Sequence, residues 1–314
     1  MLPKFRHHIP TIRGVLTLEE GLGIFLRLNF RKMTETPVEL QMPSGVALRG
    51  DLRFDVTHLA KGRKLPLLIV CHGFKAFKDW GPFPAIGRRF AEAGFASFVF
   101  NFSHNGIGPE PRKFSERDKF YKNTVSLELT DVEELVDAVI AGKVGAGAVD
   151  PARIGIVGHS RGGGVAIVAA CERESIKAVA GWSTVGRFDR YSETMKARWR
   201  MQGYLGSNSS KSSDPFRIGP ALLDDIEANA KRLDLEEAVR RLKKPLLLVH
   251  GSADIPVPLD EASRLFEVSD KSMTKLVVLE GAGHMYGARH PYSHPAPVLE
   301  HVIEITTEWF THHL

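Results

Sequence analysis

From Pro37 onward the chain alternates between short apolar runs and amphipathic stretches. Val38–Met42 and Val46–Asp55 flank Pro43-Ser44-Gly45, a turn signal between two strand-like runs, which predicts a hairpin. Leu65–Cys71 (LPLLIVC) is continuously apolar, as expected of a strand covered on both faces. Phe83–Ala93 reads as a helix ending at Gly94, and Phe95–Phe102 as a second, aromatic-rich strand. Between Val125 and Ala141, Leu129, Val132, Leu135, Val136, Val139 and Ile140 fall at helical spacing, which stops at Gly142. Arg153–Val157, Arg161–Glu172 and Ala178–Trp182 then predict strand, helix and strand. Leu246–His250, Ala262–Val268, Lys275–Glu280 and Val298–His312 continue as strand, helix, strand and helix.

That order predicts an α/β fold. An open, mostly parallel sheet of about eight strands should carry helices on both faces and an antiparallel hairpin at its start. Gly186–Lys243 interrupts the alternation with helical and loop signals but no clear strand. Residues 186–243 therefore read as a small helical cap inserted in a domain spanning 37–314, with Ser207–Ser213 a mobile loop within it. Residues 1–36 form a separate extension, read as helical from the apolar positions of Leu16–Phe30. Its longest apolar stretch, Gly21–Leu26, is too short for a secretory signal. No apolar run reaches the roughly 18 residues of a membrane-spanning helix. The expectation is a cytoplasmic protein whose extension packs on the domain, with docking on a membrane surface or partner, or a weak organelle-targeting segment, as the alternatives.

Composition adds little to this picture and charge removes one option. The 314 residues are 43% hydrophobic and 25% charged, an ordinary globular balance. The net charge of +5 invites a nucleic-acid reading, but it is local. Residues 1–64 hold 11 basic and six acidic side chains, and the remainder is balanced at 31 of each. Nucleic acid is therefore not an expected partner. Cys71 and Cys171 cannot build a disulfide framework and read as reduced core residues.

The chemistry starts at Gly158-His159-Ser160-Arg161-Gly162, between a predicted strand and a predicted helix. A chain turning that sharply strains its central residue, and glycines two before and two after remove side chains that would collide. Ser160 is thereby lifted above the carboxyl edge of the sheet, where the next helix points its N–H groups. A serine hydroxyl needs a base to become a nucleophile. His284 follows the last predicted strand in the loop Gly281-Ala282-Gly283-His284, which returns to the same edge. His250 lies within a strand and suits packing or an internal hydrogen bond, and His72 suits bracing of its loop. His290 and His294 are separated from helical alignment by Pro291 and Pro295, so no metal site is expected.

Asp254, four residues past the strand Leu246–His250, is the candidate that orients the imidazole, ahead of Asp260 and Glu261. A tetrahedral oxyanion needs two preorganised N–H donors. The backbone of Arg161 supplies one, and the loop after LPLLIVC the other, with Phe74 first and Lys75 second. The Arg161 side chain either holds a substrate carboxylate or pairs with a neighbouring acid. Candidate substrate contacts are Lys75, Trp80, Phe188, Tyr191 and Trp199; the cap aromatics among them could instead serve only to pack the cap.

With HGF at 72–74, GHSRGG at 158–163, GSAD at 251–254 and GAGH at 281–284 in this order, the chain resembles an α/β-hydrolase over about residues 37–314. FNFSHNG (100–106) and GHMYGARHP (283–291) resemble segments of bacterial feruloyl and dienelactone-hydrolase-like esterases and of prolyl-oligopeptidase-like catalytic domains. The resemblance implies hydrolysis of small to medium acyl or aryl esters through an acyl-serine intermediate, with no cofactor. Dienelactone hydrolases carry cysteine where this chain has Ser160. Peptidase or amidase activity, thioesterase activity and a non-catalytic binding module remain the alternatives.

Overall fold

A computed structural model of the chain describes residues 32–59, 62–207 and 216–314. The helix expected over Leu16–Phe30 and most of the serine-rich segment 207–213 lie outside these residues. The described chain opens with the hairpin β1 (Met33–Gln41) and β2 (Ala47–Asp55), which turns through Pro43-Ser44-Gly45. β1 starts earlier than the sequence pattern suggested. Met33–Thr36 pair with Leu52–Asp55, so the boundary read at Pro37 falls inside a strand. The polar sequence MTETP hid this edge strand, because only one side of it meets the sheet. Two arginines of the basic N-terminal stretch are neutralised here: Arg49 pairs with Glu39, and Arg53 with Glu35 and Asp51.

β3 (Leu65–Cys71), α1 (Phe83–Glu92), β4 (Ala96–Asn101), α2 (Arg117–Tyr121), α3 (Val125–Ile140), β5 (Val149–His159), α4 (Arg161–Glu172) and β6 (Ile176–Trp182) follow. The segment after β6 forms α5 (Glu193–Gln202), the short strands β7 (Leu205–Ser207) and β8 (Phe216–Ile218), α6 (Ala221–Ala228) and α7 (Leu235–Arg241). β7 and β8 pair antiparallel, a small sheet that the sequence reading missed because each strand is only three residues long. β9 (Leu246–Gly251), α8 (Leu259–Val268), β10 (Thr274–Leu279) and α9 (Pro297–His313) complete the chain.

The eight long strands form one sheet in the order β1-β2-β4-β3-β5-β6-β9-β10. β2 runs antiparallel to both neighbours, and every pair from β4 to β10 is parallel. Apolar residues on both faces of each central strand account for the layered arrangement. In β3, Leu65, Leu67, Ile69 and Cys71 join the core beneath α3 and α4, while Leu68 and Val70 join the core beneath α1 and α9. β9 divides likewise, Leu246 and Leu248 against Leu247 and Val249. Each fully buried Leu or Val contributes about 1.5–3 kcal/mol relative to exposure, so both helical layers are strongly held. Among the described residues no helix is long and apolar enough to cross a membrane.

Candidate active site

Four loops leave the carboxyl ends of parallel strands and meet at one edge of the sheet. Ser160 directly follows β5, Phe74 lies beyond β3, Asp254 beyond β9 and His284 beyond β10. The parallel register of β3, β5, β6, β9 and β10 brings these loops to the same height. This is the edge where open parallel sheets hold their ligands.

Ser160 has φ 57° and ψ −122°, a conformation that L-residues avoid. Its backbone is pinned on both sides: its N–H donates to Trp182 O at 2.8 Å, and its carbonyl accepts the N–H of Gly163 at 3.0 Å. The flanking glycines are sterically required. A Cβ on Gly158 would stand 2.1 Å from the Gly162 carbonyl oxygen, and one on Gly162 would stand 2.4 Å from His72 O. The turn therefore folds tightly enough to press α4 against the end of β3.

His284 is oriented from the other side. Its Nδ1 donates to both oxygens of Asp254, at 2.8 and 3.0 Å. With the proton on Nδ1, the lone pair on Nε2 is free. Asp254 is buried, which pushes its carboxyl up. The His284 ring, the Val257 N–H at 2.9 Å and the Ser183 hydroxyl outweigh that and hold it below the ordinary carboxylate value. It is therefore an anion at neutral pH. Behind it the Ser183 hydroxyl lies 3.1 Å from the Tyr286 phenol, which donates to Val249 O at 2.8 Å. His250 backs this pair: its Nε2 lies 3.5 Å from Asp254 Oδ2 and donates to Val257 O at 2.8 Å, steadying the loop that carries Asp254.

His159, the residue between Gly158 and Ser160, supports the same imidazole. Its Nε2–H donates to the backbone carbonyl of His284 at 2.9 Å, and the two rings lie 4.7 Å apart. Burial, with the nearby His284, pushes its pKa down to about 3, so it stays neutral and keeps this donor. His72 does comparable work in the loop of Phe74. Its Nδ1–H donates to Gly73 O at 2.9 Å while Nε2 accepts from Phe102 N–H and the Asn105 amide. Burial holds its pKa at about 4. The loop lies so close to Ser160 that a Cβ on Gly73 would be 3.2 Å from the Ser160 Cβ.

Ser160, His284, Phe74 and Arg161 line one cavity of about 250 Å³. Val125, Val185, Phe188, Tyr191, Leu222, Ile226 and Val257 supply an apolar wall. Of the expected substrate contacts, Phe188 and Tyr191 reach this cavity. Trp199 does not: it is fully buried in the main core, donating Nε1–H to Ile218 O at 2.9 Å and packing edge-on to Tyr191. Trp80 stacks on His290 with ring centroids 5.6 Å apart, away from the cavity lining. Lys75 lies outside the lining too, its ammonium 5.3 Å from the Phe74 ring centre and its backbone at φ 63°. Trp80 and Trp199 are spoken for by packing and Lys75 is exposed, which sequence spacing could not reveal.

The Arg161 side chain is also committed. Nε donates to Glu128 Oε2 at 3.0 Å, Nη2 lies 2.9 Å from Oε1, and the guanidinium sits 5.1 Å from the Phe74 ring centre. Glu128 is buried, which raises its pKa, while Arg161 and the Asn123 amide pull it back. Sequence reasoning passed over Glu128, Ser183 and Tyr286. A helical acid on a predicted buried face was the available signal for Glu128. Ser183 and Tyr286 have positive φ, as do Lys75 and Ser160, so four of the five such non-glycine residues described cluster around this edge. No group of side chains able to hold a metal ion occurs among the described residues.

A strained serine between strand and helix, with a carboxylate-anchored histidine from the last strand loop, defines a hydrolase-type site on a mostly parallel sheet. The chain belongs to the alpha/beta hydrolase family, whose model matches residues 68–301. It is 22% identical over 289 residues to an uncharacterized 31.7 kDa protein from the traX-finO intergenic region of Escherichia coli, covering 80% of this chain and 92% of that one. Its fold is similar to the esterase domain of a Rhodothermus marinus protein (TM-score 0.61, 20% identity, 89% of this chain and 99% of that chain). It is also similar to dienelactone hydrolase from Anabaena variabilis (0.59, 20%, 90% and 99%) and to Est1E from Butyrivibrio proteoclasticus with ferulic acid bound (0.63, 22%, 88% and 98%).

Proposed function

We propose that this chain is a serine esterase that cleaves small carboxylic esters through an acyl-serine intermediate. The observation that carries the reading is the Asp254–His284 pair, which frees the imidazole Nε2 in the same cavity as the strained Ser160. In the first half-reaction Nε2 takes the Ser160 hydroxyl proton as Oγ attacks the ester carbonyl. Asp254 stabilises the imidazolium without itself taking the proton. The tetrahedral oxyanion is received by the backbone N–H groups of Arg161 and Phe74. Arg161 is the first residue of α4, so its N–H has no acceptor within the helix. One such donor is worth about 3–4 kcal/mol of barrier.

Collapse of the intermediate breaks the ester C–O bond, with the imidazolium proton passing to the leaving alcohol. Water, deprotonated by His284, then attacks the acyl-serine, and collapse returns the proton to Ser160 Oγ. The structurally similar proteins that are named as esterases, and Est1E with ferulic acid bound, favour an ester over an amide as substrate. The test is labelling of the purified protein by a fluorophosphonate, followed by a screen of p-nitrophenyl esters against aminoacyl amides. Labelling at Ser160 that disappears in Ser160→Ala, with ester turnover, supports the reading. Folded protein that neither labels nor turns over esters would overturn it, and fast amide turnover with inert esters would assign a peptidase or amidase.

A further inference from the structure

The cavity has a charge as well as a shape. Arg161, Arg187 and Arg190 contribute to its lining, and no aspartate or glutamate does among the described residues. Two of the three arginines are neutralised from behind. Arg161 is held by Glu128, and Arg190 donates to Glu261 Oε1 at 2.7 Å and to Pro256 O at 2.8 Å. Arg187 is exposed and has no acceptor among the described residues. The neighbouring charges thus cancel in pairs and leave one uncompensated guanidinium beside Ser160 and His284.

The backbone that carries it is fixed. Glu261, itself buried, accepts the Gly186 N–H at 2.7 Å with the oxygen that does not bind Arg190. Phe188 is buried against α4, where a Cβ on Gly164 would stand 2.9 Å from its ring. Residues 186, 188 and 190 are therefore anchored around Arg187, so little ordering cost falls on this backbone when a ligand binds. A guanidinium matches a carboxylate in geometry and charge better than any other side chain does.

We propose that Arg187 anchors a free carboxylate on the substrate, so that the site takes small esters carrying a second, anionic end. This assignment rests on the esterase reading and names its substrate class. The cavity of about 250 Å³ is small for a ligand site, which suits a short chain reaching from Ser160 to Arg187.

The test compares monoethyl adipate with ethyl hexanoate, of equal acyl length, in a pH-stat at pH 7.5. The intact protein should favour the charged ester in kcat/KM by about tenfold or more, the lower end for a charge-assisted hydrogen bond. Arg187→Gln should bring that ratio to about one whichever way the absolute rates move, Arg187→Lys should keep part of it, and salt should compress it. A ratio near one in the unaltered protein, or a preference that survives Arg187→Gln, would overturn the proposal. Calorimetric titration of adipate into Ser160→Ala, with and without Arg187→Gln, reads the anchor independently of turnover, and about tenfold weaker binding in the double variant supports it. Failure of fluorophosphonate labelling with no hydrolysis of either ester sinks the esterase reading. Active, labelled enzyme that is indifferent to the carboxylate sinks only the role of Arg187.

Discussion

Replacing Asp131 with asparagine should change how stability depends on pH, by an amount the structure sets. Asp131 lies on α3 and is 2% exposed, with Oδ2 accepting the Ser103 N–H at 2.7 Å. Burial raises its pKa to about 7, against the pull of Ser103 and with a contribution from the charges of Glu128 and Glu134. In the unfolded chain the carboxyl titrates near 3.8. Between those values the native state holds a proton that the unfolded state has released. The stability from this group is full below about pH 4 and is lost as pH rises toward 7. About three pH units at roughly 1.36 kcal/mol each give a swing of about 4 kcal/mol.

Asp131→Asn keeps the side chain neutral throughout and leaves an oxygen for Ser103. Any constant cost of seating the amide displaces the whole curve and leaves the swing intact. The stability of the variant minus that of the original should therefore climb by about 4 kcal/mol from pH 4 to pH 8, measured by urea unfolding. His72 and His159, with folded pKa values of about 4 and 3, weaken both proteins as pH falls below 6.5 and cancel in the difference. A difference that stays flat to within about 1 kcal/mol would refute burial as the control on Asp131.

Three further outcomes follow from the same contacts. Glu128→Ala leaves the Arg161 guanidinium buried without its carboxylate, so thermal or urea unfolding should register a loss of about 3–5 kcal/mol. His159→Phe removes the donor to the His284 carbonyl while keeping a ring; kcat should drop about five- to tenfold with KM little changed, and His159→Gln should recover part of the loss. Trp199→Phe breaks the bond to Ile218 O and should lower stability by about 1–3 kcal/mol, while ester kcat/KM stays within about twofold because the residue lies outside the cavity lining.

Much of the candidate site could be read from local sequence because its parts sit at strand ends. Gly158-His159-Ser160-Arg161-Gly162 marks its own turn: only glycine leaves room where a Cβ would lie 2.1 Å from a carbonyl oxygen. Asp254 and His284 could be chosen because each follows an apolar run, and parallel strands deliver their carboxyl ends to one edge. The substrate contacts were less legible. Phe188, Tyr191 and Trp199 look alike as aromatic residues in an insertion, yet two line the cavity and one is fully buried in the main core with its Nε1–H on Ile218 O.

The sequence by itself determined the alternation of buried strands and amphipathic helices, the strained serine turn and the chain order Ser160, Asp254, His284. These depend on residue type and short-range sterics, which are written locally. Tertiary structure decided which charges are spent and which remain available. Arg161, Arg187 and Arg190 are equivalent on paper. They become different only when α3 brings Glu128 to the first, α8 brings Glu261 to the third, and the second is left facing the cavity beside Ser160. Long-range pairing assigns each buried charge its partner, and no local pattern encodes a partner 33 or 71 residues away.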